Sequence, residues 1–304
     1  MFEIIKQGTK FDFLGRAKIY FIVSALLVIG SLFLIFTKGF NYGVDFSGGT
    51  VVQVKFEKAP DIEVMRNTLN ESVSGGVSIQ NFGDENDFII KAEQTSGDLQ
   101  VVADSIQNTL MENFKDLGNI TIERVEQVGP QVGKDLKNKA VLAVIYAVIG
   151  ILIYIAIRFQ FIYGIGAIIA LIHDIILTLA IIILANVSFD LTVLASVLTV
   201  VGYSLNDKIV VFDRIRENVK AMPDTSLMEV MNKSINETLS RTILTSTSTL
   251  LALLALLIFG GEVIYGFSLA MIAGILIGTY SSIGIASSSV YYMRQIIDKK
   301  KSKN

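Results

Sequence analysis

Long runs of apolar residues alternate with polar segments along this chain. Each run has about the length of an α-helix that crosses the hydrocarbon core of a bilayer, roughly 18 to 25 residues. The runs are 19–36, 140–157, 161–184, 191–212, 243–259 and 264–290. The pattern therefore predicts a polytopic α-helical membrane protein with six transmembrane helices.

A polar segment, 38–138, separates the first apolar run from the second. Strands are predicted where apolar and polar residues alternate, and helices where apolar residues recur every three or four positions. The predicted strands are 50–56, 77–82, 87–93 and 120–128, and the predicted helices are 60–73, with Pro60 in the first turn, and 98–114. The order β-α-β-β-α-β predicts an α+β domain of the ferredoxin-like type. Such a domain can dock a partner or act as a spacer, and the sequence leaves both open.

Basic residues are distributed unevenly among the loops. Lys and Arg occur in the N-terminal segment, after the second run, between the fourth and fifth runs and in the tail, whereas the turns near 186 and 260–262 have none. Because cytoplasmic loops carry the excess of Lys and Arg, both termini are predicted to be cytoplasmic. The first run is predicted to be an uncleaved anchor, since residues 37–40 lack a signal-peptidase pattern.

This topology divides the chain into five segments. They are a cytoplasmic N-terminal segment (1–18), transmembrane helix 1 (19–37), an extracytoplasmic ferredoxin-like domain (38–138), transmembrane helices 2–6 (139–293) with a cytoplasmic loop (213–240), and a basic cytoplasmic tail (294–304). Within the loop, the apolar positions of 227–239 share one helical face. An amphipathic helix along the inner leaflet is predicted there, with a role that only covers the loop as the alternative.

Composition agrees with a membrane protein and excludes several kinds of chemistry. Of the 304 residues, 52% are hydrophobic and only 18% are charged, and the net charge of −2 gives no reason to expect a nucleic-acid partner. The chain has no cysteine and one histidine, which excludes disulfides, thiolate nucleophiles and multi-His metal centres. Its two glycine-rich stretches, 43–50 and 129–135, both lack the Walker A pattern. We therefore expect no cofactor, no nucleotide and no covalent chemistry.

Asp207 lies inside the fourth apolar run. An ionised carboxylate near the centre of a bilayer costs about 2.5 to 3.5 kcal/mol even on the most lenient scale, so such residues are commonly functional. The predicted counter-charge is Arg241, at the start of the fifth run, because an Asp–Arg pair that separates and re-forms can relay a proton. Two alternatives stay open: Asp207 and Lys208 lie at the cytoplasmic interface, or Asp207 and Arg241 form a static pair.

Two adjacent polar residues, His173 and Asp174, lie near the middle of the third run. Because adjacent helix residues point about 100° apart, only one of the two needs to face the helix bundle. Asp174 is the more costly of the two to expose to lipid. We predict it to be a secondary relay residue, with structural hydrogen bonding as the alternative.

Several motifs resemble those of the SecF family, the smaller partners of SecD in the bacterial protein-export complex of the resistance-nodulation-division superfamily. They are Phe11-Asp12-Phe13, Gly43-Val44-Asp45-Phe46-Ser47-Gly48-Gly49-Thr50, Val128-Gly129-Pro130, Gly133-Lys134, Leu171-Ile172-His173-Asp174, Gly202-Tyr203-Ser204-Leu205-Asn206-Asp207 and Asp213-Arg214-Ile215-Arg216-Glu217-Asn218. The resemblance extends over nearly the whole chain.

The resemblance implies a function for the chain and for its charged residues. It implies an accessory subunit of the Sec translocase that uses the proton motive force to promote polypeptide export across the bacterial inner membrane. Asp207 and Arg241 match the family's relay positions, with Asn206 in a supporting role. Expected partners are a six-helix SecD homologue, the Sec channel, the exported polypeptide and membrane lipid. The alternatives are a half-transporter that exports lipid or small molecules, and a purely structural subunit.

Overall fold

The computed structural model describes residues 9–73, 77–82, 84–92, 99–158 and 160–301. The outer ends of the predicted N-terminal segment and tail, the end of the third predicted strand and the start of the second predicted helix lie outside these residues. The chain divides into two compact units. One comprises residues 1–41, 144–187 and 192–304, and the other comprises residues 42–143 and 188–191. We call them the helical unit and the α+β domain.

The α+β domain contains a four-stranded antiparallel sheet with the order β2-β3-β1-β4. Its elements are α2 (Val44–Ser47), β1 (Gly49–Phe56), α3 (Ile62–Ser72), β2 (Val77–Phe82), β3 (Asp84–Ala92), α4 (Leu99–Asn113) and β4 (Ile120–Val128). The predicted β-α-β-β-α-β order and the ferredoxin-like topology are confirmed.

Local chemistry explains where α3 begins. The carboxylate of Asp61 accepts hydrogen bonds from the backbone N–H groups of Glu63 and Val64, which have no partner within the helix. Pro60 precedes this cap, so its predicted place in the first helical turn was wrong. The apolar sides of α3 and α4 pack on the sheet through residues such as Met65 and Ile106, both fully buried.

The helical unit contains helices that are long and apolar enough to cross a membrane. They are α1 (Ala17–Lys38), α5 (Pro130–Arg158), whose first turns belong to the α+β domain, α6 (Phe161–Leu184), α7 (Leu191–Ala221), α8 (Leu227–Phe259), and α9 (Gly261–Ser281), which continues through a π-helix (Ser282–Ala286) into α10 (Ser287–Lys301). Within the part of the chain that the structure describes, six candidate spans result, in agreement with the sequence pattern.

The cytoplasmic loop predicted at 213–240 is replaced largely by helix. α7 continues to Ala221, and α8 runs from Leu227 to Phe259 without a break. The helix predicted at 227–239 is present as the first part of α8, which continues without a break into the span. Its apolar side chains, including Met231 and Ile235, are buried in the core of the helical unit rather than in a lipid surface.

The inner helices of this unit are α6, α7 and α9, whose spans are about half buried, whereas α1, α5 and α8 are mostly exposed. Small residues let the inner helices approach closely. A Cβ atom at Gly274 would lie 2.3 Å from Val200, and one at Gly278 would lie 2.7 Å from the Ser204 hydroxyl. The small-residue spacing in the last span therefore serves close packing against α7.

Candidate functional site

Asp207 is buried in the middle of α7, with 6% of its surface exposed. Its Oδ1 accepts a hydrogen bond from the Thr242 hydroxyl on α8 at 3.2 Å, and its Oδ2 accepts one from the Ser282 hydroxyl at 3.4 Å. A hydroxyl can donate to an ionised carboxylate or accept from a protonated one. This arrangement can therefore hold the carboxyl group in either protonation state.

Arg241, the predicted counter-charge, precedes Thr242 on α8, but its side chain is exposed. Among the described residues no ion pair joins Arg241 to Asp207, although the two charges interact electrostatically at longer range. Asn206 is also exposed. The structure therefore brings Asp207 together with hydroxyl groups, and the relay roles of Arg241 and Asn206 stay predictions.

Asp174 forms an ion pair that the sequence pattern did not reveal. Its Oδ2 lies 2.7 Å from the Nζ of Lys208, and the exposed fractions of these side chains are 1% and 0%. Ser204 and Ser281 also donate to Asp174, at 2.5 and 2.8 Å. His173 is buried beside it, with Nδ1 at 2.9 Å from Asp174 Oδ1. Lys208 is thus a buried partner of Asp174 within the helical unit.

One turn of the last span, Thr279 to Ser282, contacts four other helices through four successive side chains. Thr279 is hydrogen-bonded to Ser246 of α8 at 2.8 Å, and Tyr280 to Ser24 of α1 at 3.1 Å. Ser281 contacts Asp174 of α6 and Lys208 of α7, and Ser282 contacts Asp207 of α7. The π-helix begins at Ser282. π-Helical turns are rare and are frequent at functional sites.

The hydroxyl groups at 245–249 in α8 differ in what they bind. Thr245, Ser248 and Thr249 donate to carbonyl groups of the preceding turn of their own helix. Two of these hydroxyl groups are also hydrogen-bonded to another helix, Ser246 to Thr279 at 2.8 Å and Thr249 to Tyr203 of α7 at 3.4 Å. Most of this polar stretch therefore satisfies its own backbone rather than forming a path of hydroxyl groups.

The motif residues 43–49 lie in the α+β domain and contact residues 188–191 of the same unit. The carboxylate of Asp45 accepts a hydrogen bond from the Leu191 N–H at 3.0 Å. The ring of Phe46 stacks on that of Phe189 at 6.0 Å, and the Ser47 hydroxyl donates to the Gly43 carbonyl. Gly48 and Gly49 both have positive φ, 75° and 126°, which disfavours any other residue at this entry into β1. The motif thus joins the start of β1 to residues 188–191 within this unit.

The Phe11-Asp12-Phe13 motif is held by two asparagines of α8 that the sequence analysis missed. Asn232 accepts from the backbone N–H of Phe13 and donates to the carboxylate of Asp12. Asn236, one turn further, pairs with both backbone groups of Phe11. Polar residues spaced by four on an amphipathic helix look solvent-exposed in a sequence, so no pattern distinguished these two.

Among the residues that the structure describes, no group of three or more His, Asp or Glu side chains is placed to hold a metal ion. Among the described residues, the buried Asp and Lys side chains of the helical unit form two neighbouring sites on α7. Asp207 occupies one, and the Asp174–Lys208 pair occupies the other.

The fold and these buried charges define a class: polytopic helical membrane proteins with a ferredoxin-like domain between the first two spans. The profile of the family described as "Protein export membrane protein SecD/SecF, C-terminal" matches residues 106–296, and that of the "SecD/SecF GG Motif" matches residues 33–60. The chain therefore belongs to the SecD/SecF family of protein-export membrane proteins, and the resemblance seen in its motifs is confirmed.

Curated relatives agree with this assignment over nearly their full length. The chain is 52% identical over 299 residues to the protein translocase subunit SecF of Calditerrivibrio nitroreducens, which covers 97% of both chains. It is 44% identical to the subunit of that name from Pseudomonas aeruginosa, over 93% of this chain and 91% of the relative. The similarity is thus to SecF within the family.

Two solved structures have the same fold. SecDF of Thermus thermophilus, described as a translocon-associated membrane protein, matches with a TM-score of 0.84 and 36% identity over 95% of this chain. SecDF in a super-membrane-facing form matches with a TM-score of 0.72 and 35% identity. This chain spans only 39% and 41% of those solved chains, which are therefore much longer.

Proposed function

We propose that this chain is a subunit of a Sec protein translocase that uses the proton motive force to promote polypeptide export across the cytoplasmic membrane. The observation that carries the proposal is Asp207, a carboxyl group buried in an apolar helix, whose hydrogen-bond partners among the described residues are two hydroxyl groups. A structural subunit would have no need to bury such a group at the cost that the membrane imposes. The relatives named protein translocase subunit SecF supply the substrate class.

The proposed cycle begins when Asp207 accepts a proton from the outer side. Protonation removes the attraction between this carboxyl group and Arg241, and the new O–H can donate in one of the two hydrogen bonds to Thr242 and Ser282. The helices α7, α8 and α9 then shift, and the proton leaves towards the cytoplasm. One elementary charge that crosses 100 mV supplies about 2.3 kcal/mol, which changes a two-state equilibrium about fifty-fold.

Asp174 is proposed as the secondary relay residue. Its two carboxylate oxygens already interact with Lys208, Ser204, Ser281 and His173. Losing the Asp174 charge would leave Lys208 as an unpaired buried cation, which is strongly unfavourable. This contrast supports Asp207 as the primary proton acceptor.

We propose four kinds of partner for this chain. A SecD-like six-helix homologue supplies the second half of the membrane domain, as the much longer SecDF chains suggest. The Sec channel and the exported polypeptide act on the outer side, and lipid surrounds the assembly in the inner membrane. Protons are the coupling ion, and the mechanism requires no cofactor and no covalent chemistry. In this proposal both termini lie in the cytoplasm, as the distribution of Lys and Arg among the loops predicts.

The test is an Asp207→Asn variant of the chain, in complex with the partner that co-purifies from native membranes. The amide has nearly the size of the protonated carboxyl group but cannot release a proton. The complex should assemble normally, whereas proton conduction into vesicles and proton-dependent export should fall at least about tenfold. Asp224→Asn, which neutralises an exposed carboxylate between α7 and α8, should change neither.

Other results would select a different function. Unchanged proton conduction in Asp207→Asn would exclude the relay and make Asp174 the residue to test. Loss of assembly would indicate a structural subunit. Proton-dependent movement of lipid or small molecules, without an effect on polypeptide export, would indicate a half-transporter.

A further inference from the structure

Asp207 and Lys208 are consecutive residues of α7, yet their side chains belong to two different polar sites. Asp207 contacts Thr242 and Ser282, whereas Lys208 contacts Asp174, Ser204 and Ser281. Adjacent helix residues point about 100° apart, which explains the separation. The two sites meet again on the last span, because Ser281 and Ser282 are also consecutive.

All three donors of the Lys208 ammonium group are used in hydrogen bonds. Lys208 is fully buried, and its ammonium group can donate three hydrogen bonds, which it directs to Asp174, Ser204 and Ser281. The distance from Lys208 to Ser281 is 3.1 Å, and Ser281 itself donates to Asp174 at 2.8 Å. Ser281 is therefore fixed by both members of the ion pair.

Ser282 is held less firmly. Its hydroxyl donates to Asp207 at 3.4 Å, which is a long contact, and also to the Thr279 carbonyl at 2.9 Å. Its carbonyl accepts a hydrogen bond from the Ser287 hydroxyl, five residues later, across the π-helix. The position of Ser282 therefore depends on the anchored residue before it and on the wide turn after it.

We propose that Lys208 is a positioning residue for Asp207. Through the anchored Ser281 it fixes the start of the π-helix, so that Ser282 reaches the carboxyl group. This inference rests on the proposed function and adds a residue to it. This positioning role does not require the ion pair to exchange protons. It holds α6, α7 and the last span in the register in which Asp207 binds and releases its proton.

Other charged and titratable groups lie around Asp207 and can also affect the pH dependence of proton conduction. Lys208 on α7 and Arg241 on α8 interact with it electrostatically. Asp174 and His173 on α6 face Lys208, and Tyr280 on α9 lies 6.2 Å from the His173 ring. A change in any of these groups can move a pH profile, so the test compares variants that change position with variants that change charge.

The first variant is Ser281→Ala, which removes the link but leaves the Asp174–Lys208 ion pair in place. The second is Ser282→Ala, and the third combines both. Each should shift the pH of half-maximal proton conduction by about half a unit or more. The double variant should shift it no further than the larger single change, because residues that act in one path are not additive.

A fourth variant replaces the pair by neutral groups of similar size, Asp174→Asn with Lys208→Met, so that no unpaired charge remains buried. It should assemble with the partner and shift the pH profile as Ser281→Ala does. The matched control is Arg158→Met with Asp213→Asn, which neutralises the ion pair between α5 and α7. That control should leave the profile unchanged.

The outcomes separate this inference from the proposed function. If Asp207→Asn conducts protons normally, the proposed function fails. If Asp207→Asn stops conduction but Ser281→Ala has the native profile, only the positioning role of Lys208 is overturned. Shifts of Ser281→Ala and Ser282→Ala that add would also overturn it, since the two serines would then act independently. Ser281→Ala removes a single hydroxyl, so it keeps the inference testable if the fourth variant fails to assemble.

Discussion

Asp87, on β3, is a carboxyl group that the α+β domain buries to 6% exposure. This burial, and secondly the negative charge of Glu123, raises the pKa of Asp87 above its usual value. A raised pKa means that the folded protein binds the proton more tightly than the unfolded chain does. The stability that Asp87 contributes is therefore fully present at low pH and is lost as the pH rises through the folded pKa.

An Asp87→Asn variant should accordingly stabilise the α+β domain at neutral pH, by about 1 kcal/mol or less. The gain should shrink as the pH falls towards 3.8, the usual value for this carboxyl group. Thermal unfolding of the purified chain over a series of pH values measures it. Asp104→Asn, on the exposed side of α4, is the control. An equal gain at every pH would show that the charge of Asp87 is not the cause.

Variants of Arg241 test whether this residue acts on Asp207 through its charge at a distance or through direct contact. Since Arg241 affects Asp207 by its charge and not by contact, Arg241→Lys should keep much of the proton conduction, and Arg241→Ala should lose at least about tenfold. Conduction into vesicles at matched protein levels measures both. Equal loss in the two variants would mean that the planar guanidinium group itself is required, and hence that it makes a direct contact during the cycle.

Individual buried charges were predictable from the sequence, but their partners were not. Asp207 and Asp174 stand out because a carboxylate inside an apolar run is costly. Lys208 was assigned only to a possible interface, because its partner Asp174 lies 34 positions away on another helix. Arg241 was predicted as the counter-charge of Asp207 from its charge and its place in the next span, and the contact with Thr242 was not predicted. Which of two adjacent residues faces a neighbour depends on helix rotation, which the sequence does not specify.

At the scale of elements, the contact between the N-terminal segment and α8 is open to direct test. Asn232 satisfies the backbone N–H groups of Phe13 and Leu14 and the carboxylate of Asp12. Asn232→Ala should leave these groups without their partner and cost about 1 to 2 kcal/mol, which lowers the melting temperature by a few degrees. Faster proteolysis within residues 9–16 should accompany the change.

The control for this prediction is Asn113→Ala. The Asn113 side chain is exposed and donates only to the preceding turn of its own helix, α4. Its loss should change the melting temperature by less than about 1 °C. If Asn232→Ala melts like this control, the asparagine contacts do not hold the segment, and its packing on the core through Phe13 and Leu14 must do so.

Hydrophobic periodicity predicted most of the elements. The alternating runs gave four strands, and their order was correct because the β-α-β-β-α-β sequence has a favoured topology. Two features escaped. Residues 227–239 carry charge on one face, which suggested a surface helix, yet they continue directly into the membrane span as α8. The π-helix adds only one residue to a turn, a change too small for a periodicity argument to detect.

At the scale of the whole molecule, large apolar side chains remain exposed on the described faces of α1, α5 and α8. Lipid can cover such faces, and so can the packed partner proposed above. We expect the chain to purify from mild detergent with a six-span homologue. A stable monomer as the only species would contradict the assembly.

Bulky substitutions can locate the contact. Fluid lipid tolerates added volume, whereas a packed interface does not. Leu251→Trp on α8 should therefore reduce co-purification of the partner several-fold, while Ile29→Trp on α1 should have no effect. These two residues have similar exposure, 63% and 65%. The opposite pattern would place the partner against α1.

The continuity of α8 has a mechanical consequence. From Thr242, which contacts Asp207, the helix extends 15 residues back to Leu227 and 17 residues forward to Phe259, or about 23 and 26 Å at 1.5 Å per residue. A rigid rod pivoted near its middle works as a lever. A tilt of about 5° around Thr242 displaces both ends by roughly 2 Å in opposite directions. A sub-ångström change at the Asp207 carboxyl group can thus produce a displacement of about 2 Å at the ends of α8, which is large enough to change contacts with a neighbouring protein.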